Sequence, residues 1–171
     1  YYHQFVGVNS RLDALQAAVL SVKLDHLGSW RADRKRNADH YDKAFAAAGA
    51  VDSRTPIADG GFPLRTPYAM PAPARHIYNQ YVIRVPVDMR DDLRAHLAEQ
   101  KIGSEIYYPV PLHMQECFAD LGYAPEDLPE SLLASRETIA LPIYPDLSQE
   151  QLEHVANTII AWVAERSAVE A

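Results

Sequence analysis

The 171-residue sequence has little cysteine and no long hydrophobic run. Its single cysteine, Cys117, excludes an internal disulfide, so the chain is not a disulfide scaffold and is expected to be cytoplasmic. No stretch approaches the roughly 18 apolar residues that span a bilayer, and the first ten residues show no signal-peptide pattern. A net charge of −7 argues against a general nucleic-acid binder, because such proteins are usually basic.

Several motifs that indicate a particular reaction are also missing. No Gly-rich phosphate loop, dinucleotide fingerprint or nucleophile elbow occurs in the sequence. The seven histidines show no pair at the spacing of metal ligands on one helix, so no metal site is expected. What is present is an ordinary share of hydrophobic residues, 48%, which suffices for a buried core.

The first part of the chain has the pattern of two helices. Asn9 and Ser10 are good N-cap residues, and apolar residues recur at helical spacing over 12–27. Gly28–Ser29 is expected to interrupt this helix, and a second helix is predicted from about 30 to 48. Their apolar stripes are wider than two or three strands could cover, which predicts packing against something outside this chain.

The remaining sequence predicts a mixture of short strands and helices. Residues 49–75 are rich in Pro, Gly and Ala and are expected to form an irregular connection. Strands are predicted where β-rich residues alternate, at 78–86 and 102–108. Short helices are predicted at 90–100, 113–121 and 132–139, followed by an extended piece at 141–143. Ser148 and Gln151 form a capping box for the last helix.

These elements predict an α+β fold, with two long N-terminal helices followed by a small sheet that has helices packed on one face. The chain divides into a leading helical segment (1–48), the irregular connection (49–75) and a small C-terminal domain (76–171).

Two side chains near the first helix are candidates for binding an anion. Asn9 would bring an amide donor to a helix N-terminus, where free N–H groups and the helix dipole favour phosphate. Arg11 would place a cation in the first turn, which is disfavoured by about 0.3–1 kcal/mol unless an anionic ligand lies nearby. The alternative is structural: Arg11 pairs with Asp13 or with a carboxylate elsewhere.

A second candidate region is the rigid, proline-containing segment 107–113. Its prolines would present Tyr107, Tyr108 and His113 at low entropic cost, and His113 could form hydrogen bonds or handle a proton. His76 has a similar status. For each histidine the alternative is a structural side chain, since lone histidines more often have that role.

Four segments resemble the DegT/DnrJ/StrS-like family of nucleotide-sugar aminotransferases, which are pyridoxal-phosphate enzymes of the aspartate-aminotransferase fold (fold type I). They are GVNSRLDALQAAVLSVKLDHL (7–27), HIYNQYVIRV (76–85), KIGSEIYYPVPLHMQECF (101–118) and LPIYPDLSQEQ (141–151). They occur in the family's order and cover nearly the whole chain. The resemblance implies that this chain is the C-terminal part of such an enzyme, with the small domain of that fold.

The resemblance also implies roles for the candidate residues. Asn9 matches the asparagine that reaches the cofactor phosphate of the neighbouring subunit, and Arg11 matches an arginine near the same site. Tyr107, Tyr108 and His113 match the segment that lines the nucleotide-sugar pocket, and His76 is added to this substrate-binding set. The implied assembly is a homodimer with composite sites.

The implied reaction is ping-pong transamination, from an amino acid, usually glutamate, to a keto group of a nucleotide-linked sugar. None of the lysines lies in a segment like the one that holds the family's reactive lysine, so that lysine is expected upstream of Tyr1 and the segment alone is expected to be inactive. They are Lys23, Lys35, Lys43 and Lys101.

Two alternatives stay open at this point. One is a sugar dehydratase on the same scaffold, in which a histidine replaces the reactive lysine. The other is a non-catalytic interaction domain that lacks the cofactor half. The residue sequence SRLDALQAAVLSVKL in the first segment favours amination at C3 of the sugar over C4.

Overall fold

The computed structural model describes residues 1–168, which form five α-helices, four short strands and three 3₁₀ helices. The α-helices are α1 (Ala14–Leu24), α2 (Leu27–Ala47), α3 (Val87–Glu99), α4 (Pro129–Glu137) and α5 (Gln149–Ser167). The strands are β1 (Val51–Asp52), β2 (Arg65–Thr66), β3 (Tyr81–Arg84) and β4 (Thr138–Leu141). The 3₁₀ helices span Leu112–Met114, Glu116–Leu121 and Pro125–Asp127.

The strands form one mixed sheet in the order β1-β2-β3-β4. β1 and β2 are parallel, whereas β3 is antiparallel to both β2 and β4. The longest pairing aligns Tyr81 with Leu141 and Arg84 with Thr138. Burial alternates along β3, with Tyr81 and Ile83 inside, as expected for a strand with one face in the core. The predicted α+β architecture is confirmed.

The core lies where α2, α3 and α5 meet the buried side of the sheet. Tyr41 and Phe45 of α2 pack with Tyr81 of β3, at ring-centroid distances of 5.0 and 6.5 Å. These rings have no exposed surface, so their burial contributes much of the hydrophobic stabilisation. The apolar face of α5 completes the core, with Leu152, Val155, Ala156, Ile159, Trp162 and Val163 buried.

Polar side chains of α2 fix the segment that follows β4. Tyr41 donates its hydroxyl hydrogen bond to the carbonyl of Pro142 at 3.0 Å, and Asn37 Nδ2 donates to Tyr144 at 2.8 Å. Arg34 donates to the carbonyl of Ile143. Three successive carbonyls are thereby satisfied by one helix, which holds this segment rigidly.

The start of α1 differs from the sequence prediction. The N-cap is Asp13, whose Oδ1 accepts a hydrogen bond from Gln16 N at 2.8 Å, so neither Asn9 nor Ser10 caps the helix. Asn9 instead closes a tight turn, because its Oδ1 accepts the Arg11 N–H at 3.1 Å. Arg11 has a positive φ of 63°, which is incompatible with a helical first turn.

The break between the first two helices was also predicted in the wrong place. α1 ends at Leu24 and α2 begins at Leu27, so the break lies at Asp25–His26 and Gly28–Ser29 belongs to the first turn of α2. The His26 N–H bonds back to the Lys23 carbonyl at 3.1 Å, which closes α1 without glycine.

Two predictions for the middle of the chain were wrong in part. The 49–75 connection contains the short strands β1 and β2. The predicted strand 102–108 is reduced to one bridge between Glu105 and Ala140, because Ile102 still closes α3 by donating to the Leu97 carbonyl at 2.8 Å. Prolines 109 and 111 then remove the ladder donors that would extend the pairing.

Other predicted strands and helices are present, but with boundaries that differ from the predicted ones. The strand predicted at 78–86 is shortened to β3 because Tyr78 has φ 49°, and the helix predicted at 90–100 is α3. The helix predicted at 113–121 is two 3₁₀ helices, and the one predicted at 132–139 is α4, which ends before β4. The Ser148–Gln151 capping box is confirmed, with both reciprocal hydrogen bonds present at 3.0 and 3.2 Å.

Candidate functional site

The segment before α1 presents unpaired polar donors to solvent. Asn9 and Arg11 are exposed, and within residues 1–168 neither the Asn9 amide nitrogen nor the Arg11 guanidinium has a hydrogen-bond or ion-pair partner. The proposed pairing of Arg11 with Asp13 is absent there. The acidic side chain of Asp13 caps the N-terminus of α1, and Asn9 lies outside the helix. The predicted contribution of the helix dipole to an anion site at Asn9 is therefore not found. The two side chains remain suitable donors for a phosphate.

Tyr107 and Tyr108 form a cluster with the first residue of the chain. The Tyr1 ring meets Tyr107 and Tyr108 edge-on, at centroid distances of 5.7 and 5.2 Å. The peptide bond between Tyr107 and Tyr108 is cis. Tyr108 is 55% exposed, so its ring is available to a ligand.

Gln115 holds this cluster in place through hydrogen bonds that no sequence pattern predicts. Its side-chain oxygen accepts the His3 N–H at 2.9 Å, and its amide nitrogen donates to the carbonyls of Tyr1 and Val110 at 3.1 and 3.0 Å. The residue is buried, and it joins parts of the chain that are more than 110 positions apart. Only the folded structure brings these partners together.

A cleft of about 600 Å³ opens beside Tyr107, and we call it the Tyr107 cleft. Its walls come from 79–80 just before β3, from 101–107, from the end of β4 and the residues after it (140–144), and from the first turns of α5. Lys101, Glu105 and His154 supply both signs of charge. This volume lies in the range of small-molecule sites. The structure thus places Tyr107 beside a cleft and Tyr108 on the surface next to it.

His113 is buried and fixed. Its Nε2 lies 3.2 Å from the carbonyl of Pro125, its ring meets Tyr123 edge-on, and only 7% of the residue is exposed. The ring therefore anchors the 3₁₀ segment to residues 123–125. Its Nδ1 is buried without a partner in the described part of the chain. A substrate role for His113 stays a prediction.

His76 precedes β3 and is not among the residues that line the Tyr107 cleft. Its Nδ1 accepts the Tyr78 N–H at 3.0 Å and its ring packs on Tyr78 at 4.1 Å. Among residues 1–168, no hydrogen bond connects His76 with Asn9, Arg11, Tyr107 or Tyr108. No ring contact within the described residues joins His76 to these residues either, since its ring packs on Tyr78.

Burial raises the pKa values of several titratable groups in and next to β3. Burial raises the pKa of the Asp42 carboxyl, although its hydrogen bond from the Tyr81 hydroxyl, 2.6 Å long, acts in the opposite direction. Burial, together with the charges of Asp42 and Asp39, raises the pKa of Tyr78 to about 12. Tyr78 therefore stays protonated at neutral pH.

None of the helices in residues 1–168 has the length and apolarity to cross a membrane. The same residues contain no group of three His, Cys, Asp or Glu side chains arranged to hold a metal ion.

Comparison with known proteins identifies the relatives of this chain. The sequence profile of the DegT/DnrJ/EryC1/StrS aminotransferase family matches residues 1–160. A pleiotropic regulatory protein of Geobacillus stearothermophilus is 41% identical over 160 residues, which are 93% of this chain and 39% of that protein. The dTDP-3-amino-3,4,6-trideoxy-alpha-D-glucose transaminase of Streptomyces venezuelae is 34% identical over 97% of this chain and 39% of its own length.

Solved structures agree with the sequence relatives. The crystal structure of S. venezuelae DesV in complex with a ketimine intermediate has a TM-score of 0.74 and 30% identity, covering 95% of this chain and 40% of DesV. The predicted small-domain fold of these aminotransferases is thereby confirmed. The chain spans about two-fifths of the length of these relatives.

Proposed function

The chain belongs to the DegT/DnrJ/EryC1/StrS aminotransferase family, and from this premise we propose that it serves in the transfer of an amino group from an amino acid to a nucleotide-linked keto sugar. The observation that carries the proposal is the match over residues 1–160 to relatives whose names specify sugar transaminases. Glutamate is the proposed donor. C3 is the proposed position, which is supported by relatives named for 3-amino sugars.

Asn9 and Arg11 are the proposed contacts to the phosphate of pyridoxal phosphate. Both are exposed donors without partners in residues 1–168, which is the chemistry a phosphate requires. The turn closed by the Asn9 side chain holds the two residues close together. Pyridoxal phosphate, when bound, supplies the electron sink that amino transfer needs.

The lysine that binds the cofactor is proposed to lie outside these 171 residues. A covalent lysine is activated by burial or by a cationic neighbour, whereas all four lysines of this chain are exposed. Lys35 pairs with Asp39, and Lys23 lies 6.0 Å from the Trp30 ring. We therefore propose that the 171-residue chain alone has no turnover.

Tyr107 and Tyr108 are the proposed sugar-side contacts, with His113 holding their segment in place. The Tyr1–Gln115 contacts fix the position of the pair, and the Tyr107 cleft leaves room for a ligand. His76 is proposed to contact the substrate from a different direction. The exposed apolar side of α1, including Leu15 and Val22 at 78% and 70% exposure, is proposed to be covered in a homodimer.

The donor half of the reaction can be tested without the sugar. The product of the complete gene, loaded with pyridoxal phosphate, is expected to release one equivalent of 2-oxoglutarate per subunit from glutamate. In the 171-residue chain, borohydride reduction after incubation with pyridoxal phosphate is expected to label no lysine stoichiometrically. Stoichiometric labelling of Lys101, or of any other lysine in the chain, together with turnover would contradict the lysine assignment.

A further inference from the structure

The turn that leads into β3 forms a wall between two clefts. Residues 76–78 line a cleft between the first half of α2 and the loop before β3. The next two residues, 79–80, line the Tyr107 cleft. We call residues 76–80 the shared wall. A change in its conformation would alter both clefts at once.

One hydrogen bond supports an unusual conformation in the shared wall. Nδ1 of His76 accepts the Tyr78 N–H at 3.0 Å, and the two rings pack with their centroids 4.1 Å apart. Tyr78 has a φ of 49°, which lies in the left-handed region that a bulky residue rarely adopts. The bond from the Tyr78 N–H therefore stabilises a backbone conformation that tyrosine otherwise disfavours.

This hydrogen bond requires an unprotonated Nδ1. The nitrogen accepts the bond through its lone pair, whereas both ring nitrogens of a protonated histidine are donors. Protonation would set two N–H groups against each other, so the bond would break. A histidine ordinarily changes its charge between pH 5 and pH 8, and His76 is exposed, so solvent protons can reach it.

Charged side chains of both signs surround His76. Lys35 pairs with Asp39, and the arginines that line the same cleft as His76 oppose a further positive charge. Burial raises the pKa of the Asp42 carboxyl and the charge of His76 acts to lower it, so these two groups attract each other when both are ionised. Once protonated, His76 is attracted by Asp42 and repelled by the Tyr78 N–H. The charged residues near His76 are Arg31, Lys35, Asp39 and Asp42 of α2 and Arg75 of the loop.

Arg34 holds the other end of the shared wall. Its Nη1 lies 3.4 Å from the Tyr78 carbonyl oxygen and 3.5 Å from that of Asn79. Both distances are longer than those of typical N–H···O hydrogen bonds, so these contacts restrain the wall only weakly. The same guanidinium donates to the Ile143 carbonyl, and Ile143 also lines the Tyr107 cleft. A movement of the wall would therefore change the edge of that cleft.

We propose that the hydrogen bond between His76 and Tyr78 is a pH-sensitive switch, in which protonation of His76 releases the Tyr78 N–H and loosens the wall shared by the two clefts. At pH 8 the bond is closed and the wall is ordered, whereas at pH 5 the bond is open. The switch is a property of this chain and does not depend on the proposed function.

NMR of the 171-residue chain between pH 8 and pH 5 tests the switch. The ring carbons of His76 report its protonation. The protection factor of the Tyr78 amide, which corrects for the intrinsic pH dependence of exchange, reports the hydrogen bond. This protection is expected to fall about two- to tenfold as His76 gains its proton, which is the loss expected for one hydrogen bond. Amides of β3 check that the fold is intact.

Variants identify the group that causes the change. An asparagine side chain can accept the N–H two residues further on but gains no proton in this range, so His76→Asn should keep its protection at both pH values. His76→Ala should show low protection throughout. Asp42→Asn removes the neighbouring carboxyl and should retain the pH dependence. The matched control is His3→Gln, which replaces an exposed histidine that forms hydrogen bonds in residues 1–168 only through its backbone, and it should behave as wild type.

The proposal is overturned if Tyr78 protection stays constant while His76 gains its proton, or if His76 gains no proton by pH 5. It is also overturned if His76→Asn loses protection with falling pH as wild type does, or if Asp42→Asn abolishes the change. Wild-type protection in His76→Ala at pH 8 would overturn it as well, because another group would then hold the wall.

Discussion

Gln115 holds the start of the chain against the segment that carries the tyrosine pair, so its replacement by alanine is an informative perturbation. The buried side chain makes three hydrogen bonds to backbone groups, of Tyr1, His3 and Val110. Gln115→Ala removes all three at once. The core lies elsewhere, so the change is expected to release the first residues without unfolding the domain.

The magnitude follows from the hydrogen bonds that are lost. Opening of the first residues breaks the two bonds to Tyr1 and His3, whereas the bond to Val110 lies within the segment that stays in place. Each contributes about 0.5–1.5 kcal/mol net, so about 1–3 kcal/mol is expected for the two together. Since about 1.4 kcal/mol corresponds to a factor of ten, the segment should open roughly 5 to 150 times more often.

The Cys117 amide reports this opening directly, because it donates to the His3 carbonyl at 3.1 Å. Hydrogen exchange of that amide, followed by NMR, should accelerate in Gln115→Ala by the factor given above. Amides of the core strand β3 should exchange at the wild-type rate.

Gln149→Ala is the matched control. Gln149 is exposed at the start of α5 and donates to Glu153 at 2.8 Å. This variant should leave Cys117 exchange unchanged. Unchanged Cys117 exchange in Gln115→Ala, or equal acceleration in both variants, would refute the role assigned to Gln115.

Three further changes test the fold and its electrostatics. Ser148→Ala removes the confirmed N-cap of α5 and should cost about 0.5–2 kcal/mol in urea unfolding; no loss would contradict the capping assignment. Phe45→Ala empties a fully buried ring site and should cost about 3–5 kcal/mol in the same assay, whereas a cost below about 1 kcal/mol would contradict the core described here. Because burial raises the pKa of Asp42, the folded state binds the proton more tightly than the unfolded state, and this contribution to stability is lost as pH rises through the folded pKa. The stability of Asp42→Asn relative to wild type should therefore increase from pH 4 to pH 7, and a decrease would show that the charge is stabilising.

Features with local causes could be predicted from the sequence. The capping box of α5 needs only Ser148 and Gln151, three residues apart, and it is confirmed. The cap of α1 was misplaced because Asn9, Ser10 and Asp13 are all good capping residues, and the sequence does not show that Asn9 is occupied by its own turn.

Features with distant partners could not be predicted. The 102–108 segment has a strand-like composition, but it pairs only at Glu105, because its register depends on α3 and on β4. The role of Gln115 likewise depends on partners more than 110 positions away in the sequence, which no periodic pattern reveals. The family resemblance predicts a substrate role for Tyr107 and Tyr108, and the structure added Gln115, which holds their segment in place.

We propose above that this chain belongs to an enzyme that aminates a nucleotide-linked keto sugar. The decisive assay supplies the product of the complete gene with pyridoxal phosphate, glutamate and dTDP- or UDP-linked 3-keto and 4-keto sugars, and identifies the products by mass spectrometry. We expect an amino sugar, formed from the 3-keto substrate in equal amount to 2-oxoglutarate. A dehydrated sugar, or no conversion of any of these ketones, would contradict it.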